Sequence, residues 1–159
     1  MNAIDLLTKQ HRTMEEALRA VLDAPAKDRR PAFEGYADVL ISHVLVEERE
    51  FYPAVKAKRT EDILLESLEE HLSLKRLVAD LLALRVDDEH FEPKLHVLKE
   101  QAEHHHKEEE ENLFPKVRQL LDEKELRDLG ERMTAAQTQL LLGEPRAIAK
   151  NQTRAAAEL

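Results

Sequence analysis

The sequence predicts an all-α protein, an antiparallel up-down-up-down four-helix bundle with an additional short C-terminal helix. Two observations carry the prediction. The 159 residues include only 3 Gly and 6 Pro among abundant Leu, Ala, Glu, Lys and Arg, a composition of few turns and strong helix formers. Apolar residues also recur at helical spacing through four long stretches with short connections, which make successive helices neighbours.

Ile4, Leu7, Met14, Leu18 and Val21 mark the inner face of a first helix, over about residues 2–24, that stops before Pro25 and the polar AKDRRP segment. Pro31 suits the first turn of a second helix, whose stripe Phe33, Ala37, Leu40, Val44, Phe51 and Val55 continues to about residue 58. Thr60 is placed to cap a third, over about 61–85, with Leu64, Leu68, Leu74, Val78 and Leu81 inward. After the polar VDDEHFEP segment, Leu95, Leu98, Ala102, Leu113, Val117 and Leu120 line a fourth helix over about 92–121. A shorter helix over about 123–142 follows. Residues 1–142 therefore read as one domain and 143–159 as a polar tail.

Charge and composition exclude several classes. The chain has 24 Lys+Arg against 33 Asp+Glu, a net charge of -9, and no basic stretch long enough to track a phosphate backbone, which argues against nucleic acid and anionic membranes. It has no cysteine, so disulfides, thiolate zinc sites, iron–sulfur clusters and thiol nucleophiles are all excluded. Any metal must sit on nitrogen and oxygen. No apolar run approaches the roughly 18 residues of a membrane span, and the amino terminus shows no signal core, so the chain reads as soluble and cytoplasmic.

An internal repeat points to chemistry. The second helix carries HVLVEEREFYP and the fourth HHKEEEENLFP, and the same 62 positions separate His43 from His105, Glu47 from Glu109 and Pro53 from Pro115. KQHRTMEEALRAVL and EEHLSLKRLVADLL also align, at His11 and His71, 60 positions apart. The chain is a duplicated helix pair. A pseudo-two-fold axis between the halves would set the two H-x-x-x-E turns opposite one another at mid-bundle, beside His11 and His71, an arrangement suited to a dinuclear metal site.

Burial supplies the physical reason. His11 follows Ile4 and Leu7 and precedes Met14 and Leu18 on one helix face, and His71 has the same setting between Leu68 and Leu74. Residues four apart stack on a helix, so His43 with Glu47, and His105 with Glu109, present one imidazole and one carboxylate inward. Two unpaired buried carboxylates would cost about several kcal/mol or become protonated, whereas two divalent cations satisfy both. A single core histidine is more often hydrogen-bonded than metal-bound; the joint pattern of four His and two Glu at matching offsets favours metal. His104 and His106, about 100° either side of His105 on the helix, and His90 and His96, near the third connection, read as solvated or as outer partners. The EEEE run at 108–111 reads as an exposed acidic face with only Glu109 in register. Pro53 and Pro115 should kink their helices in matching places.

The order H…H-x-x-x-E…H…H-x-x-x-E, with Glu-rich turns ending in FYP and LFP, resembles the hemerythrin HHE cation-binding domain family over about residues 1–142. The resemblance implies two irons, with His11, His43, His71 and His105 as terminal ligands, Glu47 and Glu109 bridging, and an oxo or hydroxo bridge between the metals. Imidazole and carboxylate also suit manganese and zinc. Oxygen carriers of the family have a fifth histidine one turn after the third-helix ligand, where this chain has Lys75, so both irons would keep an open position. In this the chain is similar to members linked to nitric oxide, peroxide and iron-centre repair, but it lacks the Cys-bearing amino-terminal domain of the repair proteins.

The expected function is a non-haem di-iron protein that binds or consumes O2, NO or peroxide in sensing, scavenging or detoxification, as a monomer or small homo-oligomer. Met14, Phe51 and Leu113 would wall the site, and Lys75 would either stabilise a bound anion or snorkel to the surface. A non-catalytic iron-storage or signalling module is the alternative. A ferritin-like oxidase needs Glu-x-x-His on two helices, and only Glu103 to His106 has that spacing. A haem bundle would leave Glu47 and Glu109 unexplained.

Overall fold

The computed structural model describes residues 1–159 and is all-helical, with no strand. Its elements are α1 (Ala3–Asp23), α2 (Ala26–Val46), a π-helical turn at Glu47–Phe51, α3 (Tyr52–Val55), α4 (Glu61–Ala83), α5 (Phe91–Glu108), a second π-helical turn at Glu109–Leu113, α6 (Phe114–Leu120), α7 (Glu123–Leu141) and α8 (Arg146–Ala149). No helix is long and apolar enough to cross a membrane.

α1 begins where the Asn2 side chain accepts a hydrogen bond from the Asp5 N–H at 2.8 Å, and it ends at Ala24, whose backbone is extended ahead of Pro25. The second helix starts earlier than the sequence suggested, at Ala26, with Pro31 inside it. The polar AKDRRP segment is helical because its arginines have work to do there. Arg29 donates to the carbonyls of Leu22 and Ala24, and Arg30 to those of Leu82 and Leu84, so the start of α2 satisfies the open C-terminal ends of α1 and α4.

Pro53 and Pro115 act through a change of helical pitch. Proline has no N–H to return to the preceding turn, and in both helices the ladder passes into π geometry just before it: the Tyr52 N–H bonds Glu47 O, and the Phe114 N–H bonds Glu109 O. The widened turns begin at Glu47 and Glu109, the two carboxylates singled out by the repeat.

Thr60 does not cap α4 through its side chain. Its hydroxyl donates to Val55 O at 2.8 Å and accepts from the Ala57 N–H at 2.9 Å, closing the connection from α3. α7 opens with a capping box, Asp122 and Glu125 each accepting from the other's backbone N–H at 2.8 Å. Gly130 lets α7 pass close to the chain's amino terminus, since a Cβ there would lie 2.9 Å from Ala3 N. The tail also packs on the helices: Ala149 is buried against the core, Arg146 bonds Asp38, and Arg76 donates to Thr153 O.

Two apolar clusters fill the interior. One gathers Met14 and Leu18 with Leu40, Val44, Leu74, Val78, Leu98 and Ala102; the other gathers Ile4 and Leu7 with Phe51, Leu64, Leu68, Leu113 and Val117, covered by Leu126, Leu129 and Met133 of α7. Between the clusters lie His11 of α1, His43 of α2 with Glu47 of the π turn that follows, His71 of α4, and His105 of α5 with Glu109 of the second π turn, all buried. The fold thus sandwiches one polar layer between two apolar ones.

Candidate metal centre

All six residues singled out by the repeat converge in that layer. His43 Nε2 lies 3.1 Å from Glu47 Oε1, and His11 Nε2 3.4 Å from Glu109 Oε1. On the other side, His71 Nε2 is 3.0 Å from Glu47 Oε2 and 3.0 Å from His105 Nε2, which lies 3.5 Å from Glu109 Oε1. Each carboxylate therefore reaches both histidine pairs.

Each imidazole is held from behind. The Nδ1–H of His11 donates to Glu110 at 2.8 Å, that of His43 to the Gln10 side-chain oxygen at 2.7 Å, that of His71 to Glu48 at 2.9 Å and that of His105 to Glu70 at 2.9 Å. An acceptor on Nδ1 fixes the tautomer and aims the Nε2 lone pair inward, the usual support of a metal-bound histidine. These acceptors obey the repeat, for Glu48 and Glu110 each follow the Glu of an H-x-x-x-E turn, and Gln10 and Glu70 each precede the inward His of α1 or α4. The duplication offsets, extended by one residue, would have found them. Glu110 consequently belongs to the site although the EEEE run read as an exposed face; Glu111 is exposed as expected.

Three further residues enter the layer. The Tyr52 hydroxyl donates to Glu109 Oε2 at 2.9 Å and lies 3.1 Å from His71 Nε2 and 3.3 Å from Glu47 Oε2. Lys75 is buried, its Nζ 2.8 Å from Glu48 Oε1, so it neither snorkels outward nor stands free beside the centre. His106 is buried and stacks on His11 with ring centroids 4.0 Å apart; its position four residues after the inward Ala102 was the signal for this. His90, His96 and His104 are exposed. A cleft of about 420 Å³, lined by Glu66, Glu69, Glu70, Glu100 and His104, lies outside the His105 support.

The electrostatics show groups competing for too few protons. Burial, reinforced by neighbouring His43, pushes the His11 imidazole down from 6.5 to about 2. Burial and then His11 and His43 push His106 well down too. Burial raises Glu109 well above the usual carboxylate range, and the charge of Glu47 adds to this. Glu47 meets the same burial, but the close imidazoles of His43, His105 and His71 hold it well below that range. Burial opposes charge on His105, yet Glu109, Glu47 and Glu70 together raise it well above 6.5.

Protein atoms alone do not complete the layer. The Nε2 atoms of His11, His43 and His106 and the Oε1 atoms of Glu47 and Glu109 are buried without a hydrogen-bond partner, since even the 3.1 and 3.4 Å approaches are misaligned for bonding. Three sets of donor atoms gather within 4.8 Å of one another: His11, His43 and His106; His11, His43, Glu47 and Glu109; and Glu47, His71 and His105. Such orphaned donors are expensive in a core, and a metal cation is the group that five converging lone pairs fit.

A buried helical layer of imidazoles and carboxylates defines a cation-binding domain, and the comparisons agree. The model of the hemerythrin HHE cation binding domain matches residues 2–117, and the chain belongs to that family. No curated protein matches the sequence. The crystal structure of a hemerythrin HHE cation binding domain-containing protein from Mycobacterium kansasii aligns with a TM-score of 0.78 over 99% of this chain and 95% of that one, at 24% identity, and shows a shared fold.

Proposed function

We propose that the protein is a non-haem di-iron protein that binds or consumes a small ligand such as O2, NO or peroxide. The observation that carries this reading is the set of five buried, unpartnered donor atoms in one layer. In this reading the four helical columns form an antiparallel up-down-up-down bundle within residues 1–142, because each passes from one apolar cluster to the other in alternating direction. His11 and His43 would hold one cation and His71 and His105 the other, with the Glu47 and Glu109 carboxylates within reach of both.

Iron bound there supplies redox equivalents and Lewis acidity. The chain's own groups do the rest. The Nδ1 acceptors orient the imidazoles, and the Tyr52 hydroxyl offers a proton donor at the face of His71. Phe51 packs on Tyr52 and Phe114 at 6.0 and 5.9 Å, an aromatic floor on one side of the layer. The acidic cleft beside Glu70 draws cations toward the centre.

Metal content and the visible spectrum of the purified protein test the reading, before and after reduction and exposure to air, peroxide or NO. Two irons per chain, with oxo-bridge bands that bleach on reduction and return, are expected. Zinc alone with no spectral response, or less than one metal per chain after anaerobic reconstitution, overturns the redox function and leaves a structural or storage domain.

A further inference from the structure

We propose that His106 is a third imidazole donor to the cation held by His11 and His43, so that the two cation positions are chemically unequal. This rests on the dinuclear reading above and adds a ligand outside the repeated H-x-x-x-E pattern.

His106 Nε2 is a buried nitrogen with no hydrogen-bond partner, and it falls within 4.8 Å of the donor atoms of His11 and His43. Donors on one cation at about 2.1 Å stand no more than about 4.2 Å apart, and the cation lies near the plane of each imidazole, so His106 completes the set by closing tenths of an ångström and turning out of its stack on His11. His106 also differs from an ordinary core histidine. A buried imidazole normally bonds through at least one ring nitrogen. His106 instead lies parallel to His11, with ring planes 10° apart, and 5.4 Å from the His43 ring, its unpartnered nitrogen among theirs.

The duplication makes the asymmetry explicit. The counterpart of His106 in the second helix is Val44, which belongs to the apolar core, so the His71 and His105 side has no third imidazole. The counterpart of Tyr52 is Phe114, so the His11 side has no phenol. The first position gathers five unpartnered donors in two overlapping sets that share His11 and His43, while at the second the Nε2 atoms of His71 and His105 bond each other and that of His71 also meets the Tyr52 hydroxyl. The crowded first position takes the tighter cation, and the opening for a small ligand falls at the second, beside Tyr52.

Zinc is the probe, because it is diamagnetic and suits these donors. Long-range proton–nitrogen spectra of 15N-labelled wild type should show five imidazole Nε2 resonances moving to the metal-bound range on zinc loading, with His106 among them. Calorimetric zinc titration of His106→Gln should weaken one of the two binding equivalents about tenfold or more and leave the other unchanged, while exposed His104→Gln alters neither. Wild type that binds two zinc ions with His106 unmoved overturns this inference alone. Wild type that binds fewer than two overturns the dinuclear reading and this inference with it. If His106→Gln does not fold, the wild-type spectra decide.

Discussion

The buried ammonium of Lys75 lies 2.8 Å from Glu48, whose other oxygen accepts the Nδ1–H of His71 at 2.9 Å. A cation on α4 thus reaches a histidine on the same helix through a carboxylate at the π turn of the second helix. Burial alone would raise Glu48, but His71 and then Lys75 hold it below the ordinary carboxylate range. Arg12 stands in the same relation to Glu110, the carboxylate behind His11. The glutamates that follow Glu47 and Glu109 are therefore each held by a hydrogen-bonded imidazole and by a cationic side chain.

Replacing Lys75 with Met should fill the space but strip Glu48 of its charge partner inside the protein. Removing one member of a buried pair costs about 3 kcal/mol, and the remaining His71 bond places this case at the low end of the usual range. Urea unfolding of Lys75→Met measures it. A loss under about 1 kcal/mol would mean that water reaches Glu48 and solvates it.

The pH dependence of stability in chelator-treated protein follows from the competing imidazoles. Below 6.5 the unfolded chain protonates His11 and His106 while the folded one does not, so two groups make stability fall with acid; Glu109, protonated only when folded, opposes them with one. Above 6.5, His105 and Glu109 keep protons in the fold that the unfolded chain releases, and stability falls as pH rises through their raised values. Thermal melts across pH should therefore peak near 6.5. A profile still climbing well above that pH contradicts the raised His105 and Glu109.

Tyr52→Phe removes only a hydroxyl, and Phe114 shows that the repeat accepts the ring without it. Glu109 Oε2 then loses its 2.9 Å donor, a loss of about 1–3 kcal/mol in chelator-treated protein. A bound cation would supply that oxygen with another partner, so the loss should shrink in zinc-loaded protein. Equal losses in both states would place Glu109 Oε2 away from the cation.

Gly130→Ala puts a methyl group 2.9 Å from Ala3 N and equally close to Asn2 C, both backbone atoms that cannot swing aside. The start of α1 must move off α7, at about 1–3 kcal/mol, and the Asn2 to Glu123 hydrogen bond should break with it. Hydrogen exchange at the first turn of α1 and the melting temperature read the two effects; an unchanged melting temperature would show that the amino terminus is free to yield.

The sequence was legible where one residue's role depends on its own helix. The apolar stripes and the repeat located the helices and brought the six inward His and Glu residues into one layer. It was less legible where a role is set by another helix. The arginines before Pro31 read as a connection, and Pro31 as a first-turn residue, because the carbonyls that hold Arg29 and Arg30 belong to α1 and α4. Thr60 read as a cap because its true acceptor, Val55 O, lies across a loop. Tyr52 and His106 break the duplication, so a method that finds sites by matching halves passes over both. The depth of Lys75 depends on Glu48, whose inward turn follows from the π geometry ahead of Pro53.

The supports behind His43 and His105 offer the most direct comparison, since the chain itself contains both versions. Gln10, a neutral amide, accepts from His43, and its amide donates to Gln137 of α7 at 2.7 Å; Glu70, a carboxylate that His105 holds ionised against the pull of burial, accepts from His105. A carboxylate behind an imidazole makes its Nε2 a stronger donor to a cation, and outer partners of this kind are typically worth about 10–100-fold in metal affinity. Glu70→Gln should therefore weaken zinc binding about tenfold while preserving the hydrogen bond and the fold. Gln10→Glu should strengthen the donor at His43, but the new carboxylate loses the amide that meets Gln137, so its gain should be smaller than the Glu70→Gln loss. Competition with a chromophoric chelator measures both. Unchanged affinity in Glu70→Gln would show that the support only orients His105, because orientation survives the substitution and charge does not.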